Sequence, residues 1–287
     1  MDSSEQALEL HSLNRGFVWH PAKPPFRRIT EEQGRSFNQL GYFVIENALD
    51  PATVERAIGE IDPWESKVER YLREQPDRRH FIAEADGISF TTHLVKRSQF
   101  LRELSAAPIF TDLCRDLIGP DVRLYNDQAV YKKPEYPKHF PWHQDNGYNF
   151  VEPQTYLTCW VALTDATVEN GCPWILPGGH LRGTLKHHLT ELGWACREDD
   201  VPEEAAPAPL RAGGMVVFSS LTPHRTGPNL TDAVRKAYIL QYASDGSCKV
   251  EHNDHCDDLA RQYFVVRDGE RVPPPVNSEN RPSTRHQ

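Results

Sequence analysis

At 287 residues, 38% of them hydrophobic, the chain is long enough to bury a sizeable core within one domain. A formal net charge of -9, with no basic run longer than Arg78-Arg79 or Lys132-Lys133, argues against a nucleic-acid partner. No apolar run approaches a membrane span, and six scattered cysteines after the polar opening Met1 to Gln6 lead us to expect a cytoplasmic protein with reduced thiols.

Residues 1–28 are polar and proline-rich without a sustained period, which predicts an arm packed loosely on the domain. Thr30 and Gln33 match a capping box, so a short amphipathic helix through Phe37 and Leu40 is expected, leading by way of Gly41 into a strand from Tyr42 to Glu46. Asp50 and Pro51 open a second helix, and the mixed charges from Glu65 to Arg79 read as its solvent-facing continuation. The segment from Phe81 to Leu94 has no clear period and is a lid or entrance candidate. Pro108 starts a further helix with Ile109, Leu113 and Leu117 at helical spacing, stopped by Gly119.

From Arg123 onward short strands alternate with turns, expected at 123–132, 156–164, 173–176, 214–219 and 236–243. Between 156 and 164, Leu157, Cys159, Val161 and Leu163 alternate with Tyr156, Thr158, Trp160 and Thr164; one face can pack while the other lines a pocket. The acidic, proline-rich stretch 197–209 reads as a solvated loop, and 271–287 as an extended or disordered tail. The body between, 29–270, is expected to be one domain, mainly β with flanking helices.

The chemistry-bearing residues are His143 and Asp145, followed far downstream by His224. His-x-Asp plus a distant His is the ligand pattern of a 2-His-1-carboxylate facial triad, which holds Fe(II) and leaves positions open. In a strand, residues two apart share a face, so His143 and Asp145 can reach one ion from a strand end, with His224 on a neighbouring strand. Arg235, at the head of the next strand, suits a buried carboxylate because its planar fork binds two oxygens and keeps its charge. A competing cluster, Cys248, His252, Asp254, His255 and Cys256, crowds its ligands too closely for a zinc site and reads as a polar loop. His180, His187 and His188 read as surface or capping histidines.

Taken in order, Trp142-His143-Gln144-Asp145-Asn146-Gly147-Tyr148, the strand around Trp160, Asn170-Gly171-Cys172 through Gly178-Gly179-His180, His224-Arg225-Thr226-Gly227 and Arg235 resemble the phytanoyl-CoA dioxygenase family of Fe(II)/2-oxoglutarate oxygenases. The resemblance runs from about Thr30 to Tyr242 and implies a double-stranded β-helix, a jelly-roll core of cupin type. Position by position it implies His143, Asp145 and His224 as iron ligands, and Arg235 with Thr226 as the grip on the distal carboxylate of 2-oxoglutarate. It also implies Trp160 and Tyr131 beside that co-substrate.

The activity so implied is O₂-dependent hydroxylation of an unactivated C–H bond, with release of succinate and CO₂. Halogenating relatives replace the carboxylate by a small residue, whereas this chain keeps Asp145. Substrate contacts are expected from Gln144, Asn146, Tyr148 and Phe150 after the first ligand, from Gln241 and Ile239 by strand parity with Arg235, and from Gln128 and His93. Phe140, Trp142, Tyr148, Phe150 and Trp174 suggest a small hydrophobic or natural-product-like substrate, with the chain a monomer or homodimer. Two other readings stand beside this one: a non-catalytic small-molecule binding or sensor protein on the same fold, and a cupin-like metal enzyme that uses no 2-oxoglutarate.

Overall fold

The computed structural model describes residues 8–197, 201–250, 256–258 and 263–276. Four helices and two main sheets frame it, and further short strands are named below by their residues. In chain order the elements are α1 (Glu31–Leu40), β1 (Tyr42–Ile45), α2 (Pro51–Glu74), β2 (Ile88–Thr92), α3 (Gln99–Ser105), α4 (Pro108–Leu117), β3 (Val122–Lys132) and β4 (Phe140–His143). There follow β5 (Leu157–Ala162), β6 (Pro173–Ile175), β7 (Ala206–Pro207), β8 (Met215–Ser219), β9 (His224–Thr226) and β10 (Arg235–Ser244). The larger sheet runs β1-β8-β5-β10-β3-β2 and the smaller β7-β6-β9-β4, every pair antiparallel. These are the two sheets of a jelly roll, as the resemblance implies. No helix among the described residues is long and apolar enough to cross a membrane.

Local chemistry explains the ends of the helices. Thr30 and Gln33 form the reciprocal capping box at α1, and Gly41, at φ 86°, closes that helix in the left-handed region that costs glycine least. Asp50 accepts the Thr53 N–H at 2.9 Å, with Pro51 at the first turn of α2. Helix α2 then continues unbroken past Pro63 to Glu74. Its Glu65 does not face solvent as expected: it accepts the Ser89 hydroxyl at 2.8 Å and the Lys133 ammonium at 2.6 Å.

The main core lies between the helices and the outer face of the larger sheet. Ala57, Ile61, Leu101, Phe110 and Leu113 meet Leu157, Cys159, Val161, Tyr238, Leu240 and Tyr242 there, all buried. Period-two alternation sends the intervening residues, Thr158 and Trp160 on β5 with Ile239 and Gln241 on β10, to the other face, where they line a cavity. On β3 the alternation is interrupted. Gln241 pairs with Asn126 but Tyr242 pairs with Leu124, so Tyr125 is an extra residue in the ladder, and both Tyr125 and Asn126 line the cavity.

The stretch read as a lid is strand-built. Arg79–His80 pairs with Ala83–Glu84, which pairs with β2, extending the larger sheet past its β3 neighbour. The N-terminal arm is also more firmly held than expected. Asn14, 8% exposed, donates from its amide to the carbonyls of Arg182 and Thr184, each at 2.9 Å, and Trp19 meets His180 edge to face at 4.5 Å between centroids. Of the second metal cluster, Cys248 is disulfide-bonded rather than a reduced thiol, while His252, Asp254 and His255 lie outside the described residues. The tail from 277 also lies outside them.

Asp127 sits on the helix-facing side of β3, fully buried, and accepts the Val95 N–H and the Tyr238 hydroxyl, each at 3.0 Å. Burial outweighs these donors and raises its carboxyl from 3.8 to about 6. The folded state therefore binds this proton more tightly than the unfolded chain. The resulting stability is fully present below about pH 4 and is lost as pH rises through about 6, a change of roughly 3 kcal/mol. Asp127→Asn should lack this slope in thermal melts between about pH 4 and 7; a variant whose melting follows pH as the wild type does would refute the assignment.

Candidate metal centre and co-substrate cavity

Strands β4 and β9 are neighbours, and His143 is the register partner of His224. Their rings lie 4.1 Å apart between centroids. Asp145 is not on the strand: β4 ends at His143, and Asp145 opens a 3-10 turn, Asp145–Gly147. The turn brings Asp145 Oδ1 to 3.8 Å from the Nε2 of both histidines, and the ligand atoms of all three residues lie within 4.8 Å of one another. Among the described residues this is the only group of three or more His, Cys, Asp or Glu placed to hold a metal ion.

The orientation of each imidazole is fixed by backbone. His143 Nδ1 lies 2.8 Å from the Pro141 carbonyl and His224 Nδ1 lies 3.0 Å from the Thr222 carbonyl. A carbonyl only accepts, so each Nδ1 carries the proton and each Nε2 presents a lone pair toward Asp145. Burial, helped by the neighbouring His224, holds His143 well below its ordinary pKa and hence neutral. Two imidazoles and one carboxylate converging from one side suit Fe(II) and leave its remaining positions open.

The three residues open onto a cavity of about 370 Å³ that Thr226, Arg235 and Trp160 also line. Arg235 is 1% exposed; its Nη1 donates to the Val130 carbonyl at 3.4 Å, while its buried Nε and Nη2 have no hydrogen-bond partner. Its guanidinium lies 5.2 Å from the Trp160 ring centroid. Burial lowers its pKa to about 10, which leaves it charged at neutral pH. A buried cation with unused donors is a strong demand for an anion, and a planar carboxylate fits the fork.

One residue of this region was not singled out from sequence. Lys132, opposite Arg235 across β3 and β10, is fully buried and donates to Thr226 Oγ1 at 3.1 Å and to the Gly227 carbonyl at 2.5 Å. Because Thr226 Oγ1 accepts from Lys132, its own O–H remains available to a ligand. Burial, with Arg235 and Arg225 nearby, pushes the Lys132 ammonium well below its ordinary pKa.

Strand parity explains both this omission and a correction. Val130 lines the cavity, so Tyr131 points the other way, among the helices, and donates to Asp62 at 2.7 Å. Tyr131 is therefore not beside the co-substrate. Gln144, fully buried, spends its side chain on the carbonyls of Gly183 and Leu221 and the N–H of Leu185, and does not line the cavity. Asn146 is likewise turned away, bonded to Thr184 and Val151.

Tyr148, Gln128, Gln241, Ile239 and His93 do line the cavity, and so do Tyr125, Asn126, Asn149, Tyr156 and Thr158. Of the five aromatics noted in the sequence, Phe140 and Tyr148 reach it; Trp142, Phe150 and Trp174 do not. His187 is half-buried, and its Nε2 accepts the Gln144 N–H at 2.9 Å as a capping histidine would, whereas His180 is fully buried.

Comparison with known proteins agrees with this geometry. The family model described as phytanoyl-CoA dioxygenase matches residues 37–237. A methylphosphonate hydroxylase of Gimesia maris is 28% identical over 232 residues, covering 78% of this chain and 85% of its own. Among solved structures, the apo form of the non-heme monooxygenase ThoJ superposes with a TM-score of 0.64 at 23% identity, covering 84% of this chain and 86% of that one. EvdO2 from Micromonospora carbonacea var. aurantiaca, complexed with 2-oxoglutarate, gives 0.58 at 26% identity, covering 83% of this chain and 96% of that one. A matching family model over most of the chain, an intact His-Asp-His cluster and a buried arginine with free donors identify the protein as a member of the phytanoyl-CoA dioxygenase family, an Fe(II)- and 2-oxoglutarate-dependent oxygenase.

Proposed function

We propose that the chain, through a single catalytic unit over residues 29–270, hydroxylates an unactivated C–H bond of a small, uncharged, largely apolar substrate. The observation that carries the catalytic part is the sharing of one cavity by the His143, Asp145 and His224 cluster and the two unpartnered nitrogens of Arg235. His143 Nε2, Asp145 Oδ1 and His224 Nε2 would hold Fe(II). Arg235, with the Thr226 hydroxyl, would take the distal carboxylate of 2-oxoglutarate, and Trp160 would bound that end. The bound iron and 2-oxoglutarate supply O₂ activation, with succinate and CO₂ as co-products.

The protein's share is placement and exclusion of water. Ile82, Ile88, Phe90, Val130, Phe140 and Ile239 make an apolar wall, and Gln128 and Tyr148 add an amide and a phenol, suited to a neutral hydroxyl or carbonyl. Among the described lining residues Arg235 is the only arginine, no lysine is present, and Asp145 is the only carboxylate. A phosphonate, such as the one named for the Gimesia maris relative, would need cations beyond Arg235, and this wall supplies none. The same lack weighs against drawing a CoA phosphate into the cavity.

Anaerobic addition of Fe(II) and then 2-oxoglutarate should produce the weak visible band of the chelate. On admission of air, uncharged cyclic or aliphatic alcohols and ketones should raise succinate output and gain one oxygen by mass spectrometry, whereas phosphonates and acyl-CoA esters should do neither. Absence of the band would remove the oxygenase reading for this chain, and coupled turnover of a phosphonate would overturn the substrate class.

A further inference from the structure

Three polar residues stand side by side on the cavity face of the larger sheet. Gln241 of β10 is the register partner of Asn126 on β3 and of Thr158 on β5, and all three line the cavity. The Thr158 hydroxyl donates to Asp145 Oδ2 at 2.5 Å. That uses the only hydroxyl proton, so Thr158 Oγ1 accepts from Gln241 Nε2, at 3.4 Å. The amide of Gln241 is thereby oriented, and its Oε1 accepts from Asn126 Nδ2 at 3.2 Å. Donation runs one way, from Asn126 through Gln241 and Thr158 to Asp145.

Asp145 Oδ1 is the oxygen that faces the two histidine Nε2 atoms, at 3.8 Å from each. We propose that Asn126, Gln241 and Thr158 form a positioning relay that holds Asp145 by Oδ2, so that Oδ1 is presented, already oriented, beside the two histidine Nε2 atoms that would share the metal. This rests on the metal reading of the site. A carboxylate free to turn would no longer hold Oδ1 where the three ligand atoms converge, and binding a metal would then carry the cost of ordering it. Partners behind metal ligands govern affinity in this way, and their loss typically weakens binding by about 10–100-fold. Asn126 reaches the cavity by the same parity as Gln128 and Val130, and the extra residue at Tyr125 joins it on that face.

Mn(II) titration of the full chain, read by the EPR signal of free Mn(II), tests the relay without turnover. Thr158→Val keeps the shape and removes the donor, and should bind Mn(II) about 10–100-fold more weakly. Thr158→Ser should restore near wild-type affinity. Gln241→Glu should weaken binding more than Gln241→Met, because a carboxylate there competes with Asp145 for the Thr158 proton while a thioether does not. Circular dichroism establishes that each variant is folded, and if Thr158→Val is not, the Gln241 pair decides alone.

His224→Ala serves as the control. Wild-type Mn(II) binding that His224→Ala does not reduce would show that the metal reading itself fails. Binding that is lost in His224→Ala but unchanged in Thr158→Val, or equal in Gln241→Glu and Gln241→Met, would overturn the relay and leave the metal site standing.

Discussion

Asp145→Ala is expected to lose coupled oxygenation by more than about 100-fold, since removal of partners merely behind a metal ligand already costs about 10–100-fold. The carboxylate is the one anionic group among the three converging side chains, and it offsets the ion's charge inside a partly dry cavity. Its loss leaves two imidazoles, which hold a divalent ion far more weakly than the full triad. The fold should hardly notice. The group left without its partner is the Thr158 hydroxyl, a matter of about 1 kcal/mol. Mn(II) affinity and succinate formation should therefore collapse while the melting curve of the metal-free protein moves little. Full hydroxylation by this variant would sink the assignment of Asp145 as a ligand.

The second large effect is at Arg235. Arg235→Met keeps a long, flexible chain of similar reach and removes the cation whose Nε and Nη2 have no partner in the protein. Truncating one side of a buried, hydrogen-bonded charge pair costs about 2–5 kcal/mol, which for 2-oxoglutarate corresponds to a KM rise of about 30-fold to several thousand-fold. Without 2-oxoglutarate the sign reverses. The wild type carries a desolvated, unpaired guanidinium, so the variant should melt at the same or a higher temperature.

Saturating 2-oxoglutarate should stabilise the wild type and leave Arg235→Met unmoved, by the mass-action rule that a ligand stabilises the state that binds it. Arg235→Lys should not rescue, because an ammonium lacks the planar fork. A wild-type KM for 2-oxoglutarate in Arg235→Met would remove Arg235 from the co-substrate site.

What was legible in the chain follows from how far each signal reaches. The capping box at Thr30, the Asp50-Pro51 start and the alternation of β5 are local, and the structure carries them residue by residue. The cavity-facing placement of Ile239 and Gln241 followed from parity with Arg235 on one unbroken strand. The same parity puts Asn126, Gln128 and Val130 on the cavity face of β3 and Tyr131 on the opposite one, and it breaks only at the extra residue Tyr125, which joins Asn126 in the cavity. Gln144 and Asn146 stand close in sequence to the ligands, yet beyond the end of β4 the chain turns, and their side chains serve backbone groups of this and neighbouring loops.

By itself, then, the sequence singled out His143, Asp145, His224 and Arg235 as candidates, because a His-x-Asp spacing and an arginine at a strand head are short-range facts and His224 stands at a strand end. Only the tertiary structure decided that a 3-10 turn, not a strand, aims Asp145, that Lys132 stands behind Thr226, and that Asn126, Gln241 and Thr158 line up behind the carboxylate. The physical reason for the last two is that the contacts between these strands join residues 83 to 115 apart in the chain. Hydrogen bonds between such strands depend on register, and register is set by the packing of whole sheets rather than by any local run of residues.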